Sequence, residues 1–299
     1  MKKRIKVSKA NILLAASALL SIAAFILLFG DGSLLGFGEL FSQFDQTQDF
    51  VKILNVGEAD SILIYSNGQA ALIDTGDSET VNEVCYDLAA CRLKKLDVLL
   101  ITHLHMDHAG GVDSIAERFT IENLILPHED ETAEANTVVN AAKQRLQNTD
   151  CRVYTAAQGM YFDIGEFEVT VLAYFPELGE QNNSSILTMV KIGETKFLLT
   201  GDAEGAAEMA LLHENLDLRC DVLKVGHHGS HTSSSEAFLK AAHPIYAAIS
   251  VGNGNRYSHP DYETLSRLQK AGAEIYRTDQ NGDITFYVEQ GNLRVKTEK

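Results

Sequence analysis

Three histidines and one aspartate fall within six positions of the sequence, at His103, His105, Asp107 and His108. Imidazole nitrogen and carboxylate oxygen are the ligands that divalent transition metals favour. In an extended chain His103 and His105 point to the same side and can share one ion. Asp107 and His108 follow a turn and are free to hold a second ion. The H-x-H-x-D-H spacing therefore predicts a metal site rather than a polar surface turn.

Two other apolar runs also end in residues of ligand type. The first ends at Asp202, whose two carboxylate oxygens could bridge two ions, although an aspartate at this position also serves as a helix cap. The second ends in a cluster of His227, His228 and His231, and a loop further along the chain contains His259. Seven of the ten histidines lie in these segments and in residues 103–108. This concentration predicts that the segments meet in one site.

Short strands that alternate with helices must position these residues. Apolar patterning predicts strands at 51–56, 61–65, 70–73 and 97–101, near 124 and 153, at 166–174, 186–192, 196–199, 221–225 and 245–250, near 275, and at 283–288. It predicts helices at about 78–91, 111–119, 132–147, 203–215, 235–242 and 261–271. Two strand-rich halves, each closed by helices, predict an α/β fold in which two sheets pack together with the helices outside.

The N-terminal residues differ in composition from the rest of the chain. Residues 1–10 contain five basic side chains and no acidic one, and residues 11–29 form a run of 19 residues that is almost entirely apolar. As a helix this run would span about 28 Å, close to the hydrocarbon thickness of a bilayer. We therefore expect residues 1–30 to form a basic cytoplasmic flank and an uncleaved transmembrane helix, with the rest of the chain outside the cytoplasm. Removal as a signal peptide is the alternative.

Composition limits the partners of the remaining chain, which we divide into a membrane-proximal linker at 31–48 and one domain at 49–299. Residues 31–299 hold 20 basic and 41 acidic side chains, a formal charge of −21. This charge opposes long-range attraction of nucleic acids, so a nucleic-acid partner is disfavoured but stays among the candidates. The four cysteines lack the spacing of a zinc knuckle, and the sequence leaves open whether they pair or stay free thiols. No protein partner can be inferred from the sequence.

These motifs resemble those of the metallo-β-lactamase superfamily and, more narrowly, of the extracellular metallo-β-lactamase-type domain of ComEC-like competence proteins. The resemblance covers roughly residues 50–290. The matching segments are 54–61, 73–76, 103–108, 182–185, 199–202, 224–230 and 257–260. The resemblance implies a four-layer αββα fold, in which two mixed β-sheets pack together with helices outside, and a site for two divalent metal ions, zinc or manganese.

The resemblance also implies roles for individual residues. One ion would be held by His103, His105 and Asp202. The other would be held by Asp107, His108, Asp202 and one histidine of the 227–228 pair, which we assign to His228. Asp74 would support the ligands by fixing a histidine through a hydrogen bond, although a simple turn residue is the alternative interpretation.

Two departures from the family pattern affect these expectations. Many hydrolases of the superfamily have another histidine shortly before Asp202, whereas this chain has Asn182 and Asn183 there. We place Asn183 among the residues that support the site, and we expect the His103/His105 ion to be held less tightly. The chain also has one predicted membrane helix in place of a polytopic channel, so DNA uptake by this chain alone is not implied.

Two bridged ions would activate a water molecule and stabilise an anionic transition state. For a phosphodiester substrate, His259 or the histidine of the 227–228 pair that is not a ligand would protonate the leaving oxygen. The candidate catalytic residues are therefore His227, His259 and Asp107. The candidates that would hold the phosphate are Ser230, Asn255 and Arg256, each of which has a plain loop residue as the alternative interpretation.

The sequence therefore predicts a membrane-anchored, extracytoplasmic, dinuclear metal-dependent hydrolase that cleaves a phosphodiester in the manner of a nuclease. A small ester or an envelope-polymer ester is the alternative substrate. A non-catalytic metal-binding protein with the same fold is the alternative function. The full set of ligand-type residues favours the enzyme.

Overall fold

Two β-sheets are formed by strands in which apolar residues alternate, and their inner faces pack against each other. The computed structural model describes residues 48–130 and 132–299. In this part of the chain the first sheet contains β1 (Phe50–Ile53), β2 (Ile62–Ser66), β3 (Gln69–Ile73), β4 (Lys95–Leu100), β5 (Thr120–Leu126), β6 (Arg152–Thr155), β14 (Ile284–Glu289) and β15 (Asn292–Thr297). The second sheet contains β7 (Tyr161–Ile164), β8 (Phe167–Ala173), β9 (Leu187–Ile192), β10 (Thr195–Leu199), β11 (Val222–Lys224), β12 (Tyr246–Ile249) and β13 (Glu274–Arg277).

Both sheets combine a parallel and an antiparallel part. The order of neighbouring strands is β15-β14-β1-β2-β3-β4-β5-β6 in the first sheet and β13-β12-β11-β10-β9-β8-β7 in the second. Strands β3 to β6 are parallel to one another, as are β10 to β13. Because parallel strands align their carboxyl ends, each sheet has one edge at which several loops leave together.

Helices cover the outer faces of the sheets. In the described residues they are α1 (Val81–Ala90), α2 (Met106–Ala109), α3 (Val112–Arg118), α4 (Asn136–Leu146), α5 (Gly205–His213), α6 (Glu236–Ala242), α7 (Tyr262–Lys270) and α8 (Thr278–Asn281). On the second sheet, Leu211 of α5, Phe238 of α6 and Leu268 of α7 pack against Leu198 and Leu223. On the first sheet, α3 contacts α1, α4 and β5.

The main core lies between the two sheets. Val51 and Ile53 of β1 and Phe197 and Leu199 of β10 are two residues apart on their strands, so each pair faces the same side of its sheet. The rings of Phe197 and Phe286 come from opposite sheets and meet edge to face, with their centroids 6.2 Å apart. Apolar packing of this kind fixes the distance between the sheets.

The parallel strands bring the candidate site residues to one edge of each sheet. Asp74 and residues 102–108 follow β3 and β4, whereas Asp202 and His228 follow β10 and β11. The backbone N–H of Ile186 donates to the carbonyl of Thr102 at 3.0 Å and joins the two edges. The loops of both sheets therefore converge at one place.

The predicted α/β fold of two packed, mixed sheets with helices is confirmed, with small shifts in the ends of its elements. Strands β7 and β15 were not predicted, and the helix expected at 132–147 begins at Asn136. The four cysteines are free thiols, of which Cys151 alone is not buried. The predicted membrane helix at 1–30 and residues 31–47 of the predicted linker lie outside the described residues. Within the described residues, no helix has both the length and the apolar character needed to cross a membrane.

Replacement of Phe197 by alanine is expected to lower the free energy of unfolding by about 3–5 kcal/mol, because it removes a fully buried ring from the contact between the sheets. Urea unfolding of the full chain in a neutral detergent measures this change. As a control, Tyr161→Ala removes a ring that is 73% exposed and is expected to change stability by no more than about 0.5 kcal/mol. A loss below about 1 kcal/mol for Phe197→Ala would contradict a tight contact between the sheets.

Candidate metal centre

Asp74 determines the orientation of His108. Its carboxylate accepts hydrogen bonds from the backbone N–H and the hydroxyl of Thr102, both at 2.7 Å. It also accepts one from His108 Nδ1 at 2.7 Å. Because Nδ1 carries this proton, the lone pair of His108 is on Nε2, which lies 3.2 Å from Asp202 Oδ1. The contacts match the supporting role expected of Asp74, whose backbone has a φ of +60° at the end of β3.

His228 is oriented in the same manner by a backbone carbonyl. Its Nδ1 donates to the carbonyl of Ser250 at 3.0 Å. Since a carbonyl can only accept, the proton lies on Nδ1 and the lone pair on Nε2. That Nε2 atom lies 3.4 Å from Asp107 Oδ2 and 3.6 Å from Asp202 Oδ2. The structure therefore places His228, rather than His227, beside the two aspartates.

Asp107, His108, Asp202 and His228 form a group whose ligand-type atoms all lie within 4.8 Å of one another. In the described part of the chain, three of these atoms are buried and have no hydrogen-bond partner, namely His108 Nε2, His228 Nε2 and Asp202 Oδ1. Buried polar atoms are nearly always paired, so three convergent polar atoms without partners require an explanation. A divalent cation satisfies all three, and the donor set of imidazoles and carboxylates fits zinc or manganese.

The electrostatics of this group favour a positive charge. Burial lowers the pKa of His228, but Asp202, Asp107 and Asp60 outweigh burial and raise it to about 9. Burial opposes the charged form of Asp202, yet His108 and His228 hold the pKa of this carboxyl well below its usual range. The protons that these histidines attract are the charges that a metal ion would replace.

His103 and His105 lie next to this group as a pair. His103 Nε2 is 3.1 Å from His105 Nδ1, and the ring centroids of His103 and His108 are 4.1 Å apart. Burial and the neighbouring His108 lower the pKa of His103 well below its usual value, which keeps it in the neutral form that binds metals. Neither histidine belongs to the compact ligand groups within the described residues. Their assignment to a separate ion with Asp202 stays a prediction.

The group opens into a cavity of about 450 Å³. Its lining includes Asp107, Asp202, His227, His228 and His259. His227 Nδ1 lies 2.8 Å from Glu204 Oε1, and the ring centroids of His227 and His259 are 5.7 Å apart. Burial lowers the pKa of His259, an effect that Asp261 only partly offsets. The imidazoles of His227 and His259 thus line the cavity beside the candidate metal ligands.

The three residues predicted to hold a phosphate differ in their surroundings. The amide nitrogen of Asn255 donates to the carbonyls of Gly252 and His259, so it has no free hydrogen for a substrate. The hydroxyl of Ser230 is buried and bonded to Thr232 Oγ1 at 2.9 Å. The polar groups of Asn255 and Ser230 are thus used to fold their loops, and a role for either residue in holding a phosphate stays a prediction.

Arg256 does line the cavity and is accessible to a ligand. Its guanidinium lies 3.3 Å from Glu58 Oε2 and 4.8 Å from the ring centroid of Tyr257. Its side chain is therefore tethered but not buried. It keeps the role of a candidate phosphate ligand.

Asn183, predicted to support the site, contacts a helix terminus instead. Its side-chain oxygen accepts from the backbone N–H of Ala207 in the first turn of α5, and its nitrogen donates to Glu180. The neighbouring Asn182 lines the cavity and donates to Glu204 Oε1 at 3.2 Å. Of the two asparagines, Asn182 is therefore the one that lines the cavity, and the supporting role of Asn183 stays a prediction.

Sequence reasoning missed a buried ion pair behind the site. Lys224 Nζ lies 2.7 Å from Asp60 Oδ2, and both side chains are almost completely buried. Asp60 falls in the matching segment 54–61, but its separation in sequence from the predicted metal ligands gives no sign that it lies close to them in the structure. The signal that was available is a lysine within the apolar run at 222–225.

A family model and several known proteins match the part of the chain that carries most of these motifs. Residues 54–252 match the family model described as the metallo-beta-lactamase superfamily. ComE operon protein 3 of Bacillus subtilis is 30% identical over 256 residues, which are 79% of this chain and 32% of that protein. Recombination protein 2 of Haemophilus influenzae is 29% identical over 86% of this chain and 31% of its own length. Competence protein ComA of Neisseria gonorrhoeae is 27% identical over 82% of this chain and 33% of its own length.

The chain spans about a third of the length of these curated relatives. Among solved structures, the diiron beta-hydroxylase CmlA from Streptomyces venezuelae has a TM-score of 0.50 at 16% identity, over 84% of this chain and 54% of that one. The metallo-beta-lactamase fold protein YhfI from Bacillus subtilis has a TM-score of 0.50 at 13% identity, over 83% of this chain and 100% of that one. These two similarities concern the fold alone. With a family model matched over residues 54–252, the chain belongs to the metallo-beta-lactamase superfamily.

Proposed function

We propose that this protein is a metal-dependent hydrolase that uses two divalent ions, zinc or manganese, to cleave a phosphodiester. The observation that carries the proposal is the convergence of His108 Nε2, His228 Nε2 and Asp202 Oδ1, three buried polar atoms without hydrogen-bond partners, beside a cavity that Asp202 and His228 line. A site that only stabilised the fold would be closed, whereas a catalytic metal site keeps an open position. The cavity beside the cluster provides that opening.

The residues have distinct tasks in this proposal. One ion would be held by Asp107, His108, Asp202 and His228, and the other by His103, His105 and Asp202. Asp202 suits the shared position, because its Oδ1 faces His108 and its Oδ2 faces His228. When bound, the ions supply the Lewis acidity that activates water and stabilises negative charge on the substrate.

His227 and His259 are the groups that handle the proton of the leaving oxygen. Glu204 Oε1 lies 2.8 Å from His227 Nδ1 and can stabilise a positive charge on this imidazole. His259 Nδ1 is buried and has no hydrogen-bond partner within the described residues. Both rings line the same cavity as Asp107 and Asp202, which supports a role for one of them as the general acid.

The substrate that we favour is a small phosphodiester. Among the described residues that line the cavity, Arg256 is the one lysine or arginine, and Glu58, Asp77 and Glu134 line it as well. An acidic rim together with the charge of −21 on residues 31–299 opposes the approach of a long polyanion. A nucleic-acid substrate is the second candidate, because the names of the relatives refer to competence and recombination.

The location that we propose is the outer face of a membrane. Residues 1–30 provide the basic flank and the apolar run of 19 residues, and residues 49–299 form the hydrolase domain. The excess of lysine and arginine before the apolar run favours a cytoplasmic N-terminus. The substrate would then be an extracytoplasmic ester, which includes esters of envelope polymers.

Replacement of Asp202 by asparagine is expected to reduce hydrolysis of bis-p-nitrophenyl phosphate by at least about 100-fold, because the carboxylate proposed to be shared by both ions is lost. Bound metal, measured by plasma emission spectrometry, is expected to fall as well. The matched control is Asp217→Asn, which changes an exposed carboxylate paired with Lys196 on the surface. Unchanged activity and metal content in Asp202→Asn would reject the proposed centre.

Replacement of Asp74 by asparagine is expected to reduce metal affinity by about 10- to 100-fold, because the amide no longer fixes the proton of His108 on Nδ1. Equilibrium dialysis of the full chain against buffered zinc measures the change. Thermal unfolding without metal separates this effect from a loss of structure. Wild-type affinity in a folded variant would show that Asp74 is only a turn residue.

Substrate choice is tested by comparing bis-p-nitrophenyl phosphate with single-stranded DNA at increasing salt, using the full chain and Mn²⁺ or Zn²⁺. The proposal expects cleavage of the small ester, with a rate that changes by less than about twofold between 50 and 200 mM salt. Binding through many phosphate contacts would instead lose about 10³- to 10⁵-fold in affinity over this range. Efficient, strongly salt-dependent cleavage of DNA would favour the second candidate.

A further inference from the structure

A lysine and an aspartate form an ion pair in the protein interior, directly behind the group of Asp107, His108, Asp202 and His228. Lys224 is the last residue of β11 in the second sheet, and Asp60 lies in the loop between β1 and β2 of the first sheet. The side chain of Lys224 is 0% exposed and that of Asp60 is 1% exposed, with Nζ and Oδ2 2.7 Å apart. Lys224 Nζ also donates to the carbonyl of Val225 at 3.0 Å.

Stability alone does not account for a charged pair at this place. Removing two charges from water costs several kcal/mol per ion, and apolar residues of similar volume are often equally stable or more so. The neighbours of Lys224 on β11 are Val222 and Leu223, both fully buried. A methionine would fit such an environment without the loss of hydration.

The surroundings of Asp60 show what the pair faces. Asp60 Oδ1 is buried, has no hydrogen-bond partner within the described residues, and lies 3.9 Å from His228 Nδ1. Asp60, Asp74 and His108 also form a group whose ligand-type atoms lie within 4.8 Å of one another. The backbone N–H of Asp60 donates to the carbonyl of Asp107 at 3.0 Å. The Lys224 ammonium is thus part of the charge distribution of the metal centre.

The charges of the centre can be counted from its side chains. Asp60, Asp74, Asp107 and Asp202 supply four negative charges, and Lys224 supplies one positive charge, so three negative charges remain when the histidines are neutral ligands. Two divalent ions would leave the loaded centre with one net positive charge. Without the ammonium, the same two ions would leave it neutral and would each meet a more negative site.

We propose that Lys224 sets the charge of the metal centre, so that its ammonium weakens the binding of divalent ions and strengthens the binding of an anionic ligand. This inference deepens the proposed function and rests on it for the identity of the ligand as a phosphate ester. Lys224 does not line the cavity, so it acts through the field at the centre and not by contact with substrate. Asp60 holds the ammonium in its place.

The test compares Lys224→Met with the double variant Asp60→Asn/Lys224→Met in the full chain in neutral detergent. Loss of the ammonium alone makes the centre one charge more negative, whereas the double variant has the same net charge as the wild type. Competition with a chromogenic chelator gives the Zn²⁺ dissociation constant. Titration calorimetry with inorganic phosphate gives anion affinity at saturating zinc.

Lys224→Met is expected to bind Zn²⁺ at least about tenfold more tightly and phosphate at least about threefold more weakly, since a unit charge acts strongly at short range in a low dielectric. The double variant is expected to return both constants to within about threefold of the wild type. A structural role predicts the opposite sign for zinc, because a disturbed centre binds metal less well. Weaker zinc binding by Lys224→Met, or unchanged phosphate binding, would overturn the proposal.

Thermal unfolding of each metal-free variant identifies any that do not fold. If Lys224→Met does not fold, Asp60→Asn serves as the reference, because removing Lys224 in that background again makes the centre one charge more negative. The double variant is then expected to bind Zn²⁺ more tightly than Asp60→Asn, and equal or weaker binding overturns the proposal. These constants do not depend on turnover. Failure to cleave phosphodiesters would therefore count against the proposed function. The charge-setting role of Lys224 would still be decided by the dissociation constants for zinc and phosphate.

Discussion

Buried carboxylates must each be paired with a cation or with hydrogen-bond donors. This requirement determines how residues are arranged at the end of the molecule where the loops of the two sheets converge. Asp60, Asp74 and Asp202 are each about 1% exposed. Asp74 is satisfied by Thr102 and His108, and one oxygen of Asp60 is paired with Lys224. Among the described residues, Asp60 and Asp202 each keep one buried oxygen without a hydrogen-bond partner. Of these two aspartates, Asp202 faces both candidate ligand histidines, and this is the place where a metal ion would be most stabilising.

Part of the energetic cost of this arrangement is strain in the backbone. Asp74, His227 and His228 have φ values of +60°, +46° and +50°, a left-handed conformation that is unfavourable for residues with a side chain. Each such residue costs on the order of 1–3 kcal/mol and persists only where the surroundings hold it. The surroundings here are strand β3, which is buried from Ala70 to Ile73, the buried strand β11, and hydrogen bonds to Asp74 and His228. The rigid packing between the sheets therefore supports the strained turns that aim the ligands.

The sequence was sufficient for much of this arrangement because the relevant signals are local. The H-x-H-x-D-H spacing and the apolar runs before Asp202 and His227 each lie within ten residues, so strand ends and ligand types could be inferred from them. The choice between His227 and His228 depends on the carbonyl of Ser250, which is 22 residues away, and no local pattern contains it. The same holds for Asp60 and Lys224, whose pairing joins two sheets. Strands β7 and β15 escaped prediction because both contain many exposed residues, and in β15 only Leu293 and Val295 alternate with polar residues.

The acidity of the chain and the charge of its centre act over different distances. At physiological ionic strength a charge is screened beyond about 8 Å, so the formal −21 of residues 31–299 repels a polyanion as it approaches but has little effect on a ligand already in the cavity. In the proposed hydrolase, the local balance of Asp60, Asp74, Asp107 and Asp202 against Lys224 and two divalent ions would decide how tightly a ligand binds in the cavity. A ligand with a single negative charge would experience little of the long-range repulsion and all of the local attraction. Each further phosphate of a polymer would add repulsion outside the cavity without a matching cation. This difference in range is the physical reason for proposing an isolated phosphodiester rather than a long run of phosphates as the substrate.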